Sequence, residues 1–195
     1  MTPEALLAGL RAGDPAAIET LYDRHAADVL RWVIRLGGPH LDAEDVAHEV
    51  FEKAIRAAPR LRGTSSPRTW LFGVTRGTVA NARRRAAFRR FIGLDSVPEP
   101  RGTADTADEV LEQADRRRLV QQALEALTTR QREVVVLVDL EEVAATEAAA
   151  MLGLPVGTVY SRLHAGRRGL QRALEAAGWA GSARADNVVP LRRPR

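Results

Sequence analysis

Cysteine is absent from the 195 residues, which excludes disulfides and thiolate metal sites and suits a reducing compartment. Aromatic side chains make up only 5% of the chain, so its core has to be mainly aliphatic. No apolar run approaches the ~20 residues that a membrane-spanning helix needs. The opening stretch MTPEALLAGLRAGDP has no basic leader followed by an apolar segment, so no signal peptide, no membrane association and a cytoplasmic location are expected. Alternating strand patterns are nearly absent. A phosphate-cradling glycine loop and a G-x-S-x-G nucleophile elbow are missing, and the four histidines lack metal-ligand spacing. The chain is therefore expected to be no enzyme and to carry no cofactor and no metal. Asp45 and His48 stand three apart on a helix, but a carboxylate-bridged metal bundle needs such a motif twice, and no second copy follows.

A hydrophobic fraction of 45% is enough for a core, and 29 basic residues against 25 acidic leave a formal charge of +4. That lean points to a polyanionic partner but is too small for tight independent binding along DNA. Ala, Leu, Arg and Glu dominate, and the fold class is all-α. The pair Gly153 and Pro155 punctuates two helices, one ending at Leu152 and one running to about Leu174. Gly153 suits a left-handed helix terminus and Pro155 the first turn of the next helix; together they spell a helix-turn-helix. On a helical wheel Val156, Val159, Leu163, Leu170 and Leu174 share the inner side, opposite Gly157, Ser161, His164, Ala165, Arg168 and Arg172. Such a face suits a major groove; the solvated side of an ordinary bundle helix is the less favoured alternative.

Upstream, a helix over residues 3–12 stops at Gly13, and Asp14-Pro15 opens another. That second helix has Ile18, Leu21, Tyr22, Val29, Trp32, Val33 and Leu36 facing inward, and it stops at Gly37-Gly38. Asp42 caps a third, with Val46, Val50, Phe51, Ala54 and Ile55 inward. Ser66-Pro67 starts a fourth, containing Trp70, Leu71, Val74 and Val79, in which Trp70 is expected to pack into the core while Phe72 could pack or serve the functional face. Five arginines between 83 and 90 close it, more than the helix dipole needs. From Gly93 to Asp115 seven acidic residues stand against one Arg101, the composition of a flexible acidic linker. Further helices are expected over 108–126 and 129–141, the latter opened by a Thr128/Gln131 capping box. The layout is thus two small helical domains, 1–92 and 110–177, joined by a linker at 93–109 and followed by a disordered basic tail at 178–195.

The segments IETLYDRHAADVLRWVIR (18–35), DAEDVAHEVFEKAIR (42–56), Leu61-Arg62-Gly63 and PRTWLF (67–72) resemble region 2 of bacterial RNA polymerase sigma factors. LTTRQREVVVL (127–137), residues 147–164 and Arg167-Arg168-Gly-Leu170 resemble region 4. With only a linker between them, the chain resembles the extracytoplasmic-function (ECF) group. The resemblance implies a non-enzymatic specificity subunit whose partners are core RNA polymerase, promoter DNA and an anti-sigma factor, and which is monomeric when free. A free-standing helix-turn-helix regulator is the alternative, but it leaves the region-2-like half without a role.

The resemblance also implies residue roles. Asp42, Glu44, Asp45, His48, Glu49, Phe51 and Glu52 correspond to the surface that docks on core polymerase. His48 replaces a neutral amide common in the family. An acidic first turn matching the dipole would explain Asp42 to Asp45, but not Glu49 or Glu52. Arg62, Gly63, Thr64, Ser65, Ser66, Arg76, Asn81, Arg83, Arg84 and Arg85 correspond to the part that opens and reads the −10 element, with Gly77 and Asn81 departing from frequent family residues. Thr158, Tyr160, Ser161, Arg162, His164, Ala165, Arg167 and Arg168 correspond to the −35 readers. Tyr160 and Ala165 replace common cations, so −10 contacts are expected to carry the larger share of promoter discrimination, with Tyr160 partly against the core edge.

Overall fold

The computed structural model describes residues 1–61, 66–93 and 109–179, and among them every regular element is helical. Helix α1 (Pro3–Ala12) ends on Gly13, whose φ of 72° is left-handed. The Asp14 side chain accepts the Ala16 N–H and Pro15 fills the first position of α2 (Pro15–Gly37). Asp42 accepts the N–H groups of Glu44 and Asp45 and so starts α3 (Ala43–Ala57). A 3₁₀ turn, Ala58–Arg60, follows it directly. Ser66 accepts the Thr69 N–H at the head of α4 (Pro67–Phe91).

Helices α2, α3 and α4 pack mutually, with α1 against α2. At their centre the Trp32 and Phe72 rings meet edge-on at 5.1 Å, both fully buried. Leu6, Leu10, Leu21, Val29, Val50 and Leu71 surround them, each contributing about 1.5–3 kcal/mol by leaving water. Trp70 is half-buried against this core. Two residues expected inside lie outside. Tyr22 is 46% exposed because it flanks the α2–α3 groove, its ring tilted over Phe51 at 4.9 Å. Ile55 is 38% exposed, on the solvent side of the last turn of α3.

The second half comprises α5 (Glu109–Glu125), α6 (Thr129–Val135), α7 (Ala145–Leu152) and α8 (Val156–Ala176). Thr128 and Gln131 form the reciprocal capping box expected of them. The single helix expected over 129–141 is instead α6 followed by a π turn, Val136–Leu140. Its wider winding sends the Glu141 N–H to the Val136 carbonyl at 2.9 Å, and Glu142 then takes a left-handed φ of 54°. Gly153 is left-handed as expected, whereas Pro155 is extended and caps α8 from outside, so the helix begins one residue later. Gly166 brings α8 against α6: a Cβ there would lie 2.6 Å from the Val135 side chain.

The two halves share one apolar cluster, and α4 touches α7 while α2 touches α5, α6 and the π turn. The expected linker core, 94–108, and most of the expected tail, 180–195, lie outside the described residues. Among the described residues no helix is long and apolar enough to cross a membrane.

Candidate nucleic-acid and polymerase interfaces

The first interface is α8. Val159, Leu163 and Gly166 are buried, which fixes the rotation of the helix about its axis. Tyr160, Ser161, His164, Arg167 and Arg168 consequently face solvent, with Thr158, Arg162 and Ala165 half-buried at the flanks. Tyr160 is 45% exposed, so it stands on the open face rather than against the core edge; Val159 takes the inward place beside it. The Ser161 hydroxyl donates to the Thr158 carbonyl at 3.0 Å. Arg167 is engaged by Asp139, from Nε at 3.0 Å and Nη2 at 2.6 Å. That hydrogen bond, ahead of the opposing effect of burial, raises its pKa further.

Helix α4 carries the second set, and its cations are already spoken for. Arg83 meets Glu125 with both forks of its guanidinium, at 2.7 and 3.0 Å, and donates to the Gly37 carbonyl at 2.9 Å. Arg76 faces Glu133 at 3.7 Å. Arg85 holds Glu49 of α3 at 2.7 Å, and Arg84 donates to Asn81. Ser66 serves as the helix cap. Arg62, Gly63, Thr64 and Ser65 lie outside the described residues.

On α3, Asp42, Glu44, Asp45, His48 and Glu52 are exposed, and Asp45, His48 and Glu52 follow one another along one stripe. Glu49 is half-buried and bound to Lys53 at 2.8 Å as well as to Arg85. These hydrogen bonds, Lys53 first, hold its carboxyl below the usual carboxylate range. Phe51 is only 6% exposed, because α2 covers it. It supports the acidic face from beneath and does not form part of it. A groove of about 280 Å³ opens beside that face, lined by Tyr22, Leu30, Ala47, His48 and Phe51. Among the described residues no cluster of His, Asp and Glu could hold a metal ion.

A family model of Sigma-70 region 2 matches residues 21–89, and one of Sigma-70 region 4 matches residues 117–170. The chain is 35% identical over 176 residues to the ECF RNA polymerase sigma factor SigL of Mycobacterium tuberculosis, spanning 89% of this chain and 98% of that protein. The chain belongs to the ECF sigma factors. It is also 34% identical over 173 residues to SigC of Mycobacterium tuberculosis, spanning 85% and 88% of the two chains. Among solved structures, CnrH in complex with the cytosolic domain of CnrY aligns with a TM-score of 0.66 at 25% identity, over 89% of this chain and 97% of that one. RpoE from Bartonella quintana, solved with the anti-sigma factor NepR, has the same fold, with a TM-score of 0.62 at 23% identity over 80% and 96%.

Within this ECF sigma factor the region 2 match spans nearly all of α2 through α4, and the region 4 match runs from α5 into α8. The free-standing regulator is not favoured, since region 2 is as clearly matched as region 4. Sequence reasoning missed a third group of residues, those joining the two halves. Arg132 is 3% exposed and donates to Glu125 at 2.7 Å and to the Leu36 carbonyl at 3.1 Å. Burial lowers its pKa. For Glu125 burial is the largest single influence and acts upward. Arg83's hydrogen bond and the charges of Arg132, Arg83 and His40 together outweigh it and hold the carboxyl below its ordinary value. The only trace of this in the sequence is the placement of Glu125, Arg132 and Glu133 among apolar residues.

Proposed function

We propose that this sigma factor, a non-enzymatic cytoplasmic subunit, directs core RNA polymerase to promoters whose −10 element is read by α4 and the preceding loop and whose −35 element is read by α8. One observation carries the reading: an exposed acidic stripe on α3 shares a folded unit with an arginine-rich helix, while a helix-turn-helix occupies the other half of the same chain. The stripe has the charge that a basic surface on core polymerase would require. The α8 face offers Ser161 and His164 to base edges and Arg168 to phosphates. A monomer in the free state and an anti-sigma partner are proposed with it; RpoE was solved with the anti-sigma factor NepR, and CnrH with the cytosolic domain of CnrY.

The test is run-off transcription and co-purification with core polymerase, comparing the natural chain with Asp45→Lys/Glu52→Lys. Glu49 is left alone because reversing it would also break the contact with Arg85. The folded double variant is expected to lose both core binding and promoter-specific transcripts. Retention of both overturns the assignment of α3.

A further inference from the structure

The π turn at Val136–Leu140 brings two acids to two different neighbours. Glu141, just past it, lies in the seam between the two halves, where Arg35, Arg31 at 3.4 Å and Arg68 at 3.7 Å meet it. Asp139, inside the turn, reaches α8 instead and takes Arg167 side-on: Nε donates to Oδ2 at 3.0 Å and Nη2 to Oδ1 at 2.6 Å. That fork uses one edge of the guanidinium and leaves Nη1, with two protons, for a further acceptor. Both ends of the fork are held by backbone. The Glu141 N–H bonds to the Val136 carbonyl and the Val143 N–H to the Leu137 carbonyl, each at 2.9 Å, and Val136 and Leu137 are fully buried. Beside Arg167, Gly166 lies so close to α6 that a Cβ would come within 2.6 Å of the Val135 side chain. All of these restraints belong to the second half alone.

The Arg167 side chain is 54% exposed. A long exposed arginine ordinarily samples many rotamers, and ordering it on a phosphate costs side-chain entropy. A carboxylate that already holds one edge of the guanidinium removes much of that cost before DNA arrives. Ordering matters here because cations are few: between Val156 and Arg172 the arginines are Arg162, Arg167, Arg168 and Arg172, with Arg162 half-buried and Tyr160 and Ala165 between them. We propose that Asp139 is a positioning residue for −35 recognition: it holds the Arg167 guanidinium so that the free Nη1 edge is presented to a promoter phosphate. The inference rests on the proposed function for the statement that α8 meets the −35 element. The Asp139–Arg167 fork itself stands without it. A carboxylate beside a DNA-facing arginine also repels the phosphate and cancels part of the cation's charge. Positioning and cancellation act with opposite signs on affinity, so one substitution separates them.

The test is promoter binding by the full chain assembled with core polymerase, on duplexes in which single phosphates across the −35 element are replaced by neutral methylphosphonates. Arg167→Ala should weaken binding about fivefold and abolish the response to one particular methylphosphonate, as expected for loss of one phosphate contact. Asp139→Asn should weaken binding about threefold, within the range of couplings inside one hydrogen-bonded network, and lessen the response to that same methylphosphonate alone. Combined with Arg167→Ala it should change nothing further. Tighter binding by Asp139→Asn overturns positioning and makes the carboxylate a brake on Arg167. Equal losses with and without Arg167, or a loss spread evenly over the phosphates, also overturn it, because a merely structural Asp139 would act that way. Arg167→Lys, at an exposed position where folding is not at stake, keeps the charge but cannot be held side-on; binding equal to that of the natural chain would make the fork irrelevant. Scrambling the −35 element distinguishes the remaining failures. If scrambling leaves the natural chain's binding unchanged, the reading of α8 fails and positioning with it. If scrambling weakens binding and Arg167→Ala does not, only the roles of Arg167 and Asp139 fail.

Discussion

On α8 the side chains of Tyr160, Ser161, His164 and Arg168 face solvent, whereas on α4 Arg76, Arg83 and Arg85 each end on a carboxylate. Both helices are long, and both put polar and basic groups opposite an apolar seam. The difference lies in what packs against them. The buried positions of α8 turn toward α6, and Asp139 holds Arg167 at one edge of its polar face. Helix α4 is flanked by α3 on one side and by the second half on the other, and both neighbours bring acids. A polar helix face can therefore be open or covered within one chain, and the helix's own sequence does not say which.

The largest way to break this comparison is Arg132→Ala. It leaves Glu125 with Arg83 alone and the Leu36 carbonyl with only the longer bond from Arg83 at 3.3 Å, and loss of a hydrogen bond to a charged group costs about 2 kcal/mol. Urea unfolding should show this loss, together with release of α4 from the second half. A loss of only a few tenths would mean that the seam contributes little. A smaller effect belongs to the open surface. Arg168→Ala should weaken promoter binding by about fivefold across −35 variants alike and lower the salt slope by about one, while Ala165→Arg should strengthen −35-dependent transcription. An effect of Arg168→Ala confined to one −35 sequence would make it a base reader.

The smallest effect sharpens the account of the seam. Burial raises the pKa of Glu133 above its ordinary value, against the charges of Arg76, Arg162 and Arg130. A carboxyl raised by folding opposes stability at neutral pH, and that opposition is relieved as pH falls through the raised value toward the ordinary one. Glu125, held low, acts the opposite way and loses its contribution as pH falls. Glu133→Gln should thus be as stable as the natural chain at pH 7 or better by less than about 1 kcal/mol. Its advantage should vanish in mildly acidic urea titrations. A clear loss at neutral pH would instead show Arg76–Glu133 to be a strong contact between the two halves.

What was legible in the sequence was local. Asp14, Asp42, Ser66 and the Thr128/Gln131 box mark helix starts because a cap bonds within three residues of itself. Gly153 was readable because a left-handed terminus admits few other residues. The rotation of α8 followed from Val159 and Leu163. Tyr22 and Ile55 escaped because a helical wheel gives the inward side but not where the neighbouring helices end. Glu49 read as one more surface acid, since its partner Arg85 stands 36 residues away. The seam was hidden for the same reason: Arg83 and Glu125 are 42 residues apart, and Arg35 and Glu141 are 106. Charge pairing over such separations has no periodicity to betray it.

The π turn at Val136–Leu140 makes the contact between the two halves a matter of chain length as well as of side-chain identity. A π turn accommodates an additional residue within a helix. Shortening this segment by one residue would restore ordinary winding and swing whatever follows by about 100° around the helix axis. Glu141 would then point away from Arg31, Arg35 and Arg68 although every one of the four side chains was retained. A single-residue deletion at this point would thus break the contact between the halves and re-aim α7 and α8, which follow it in the chain.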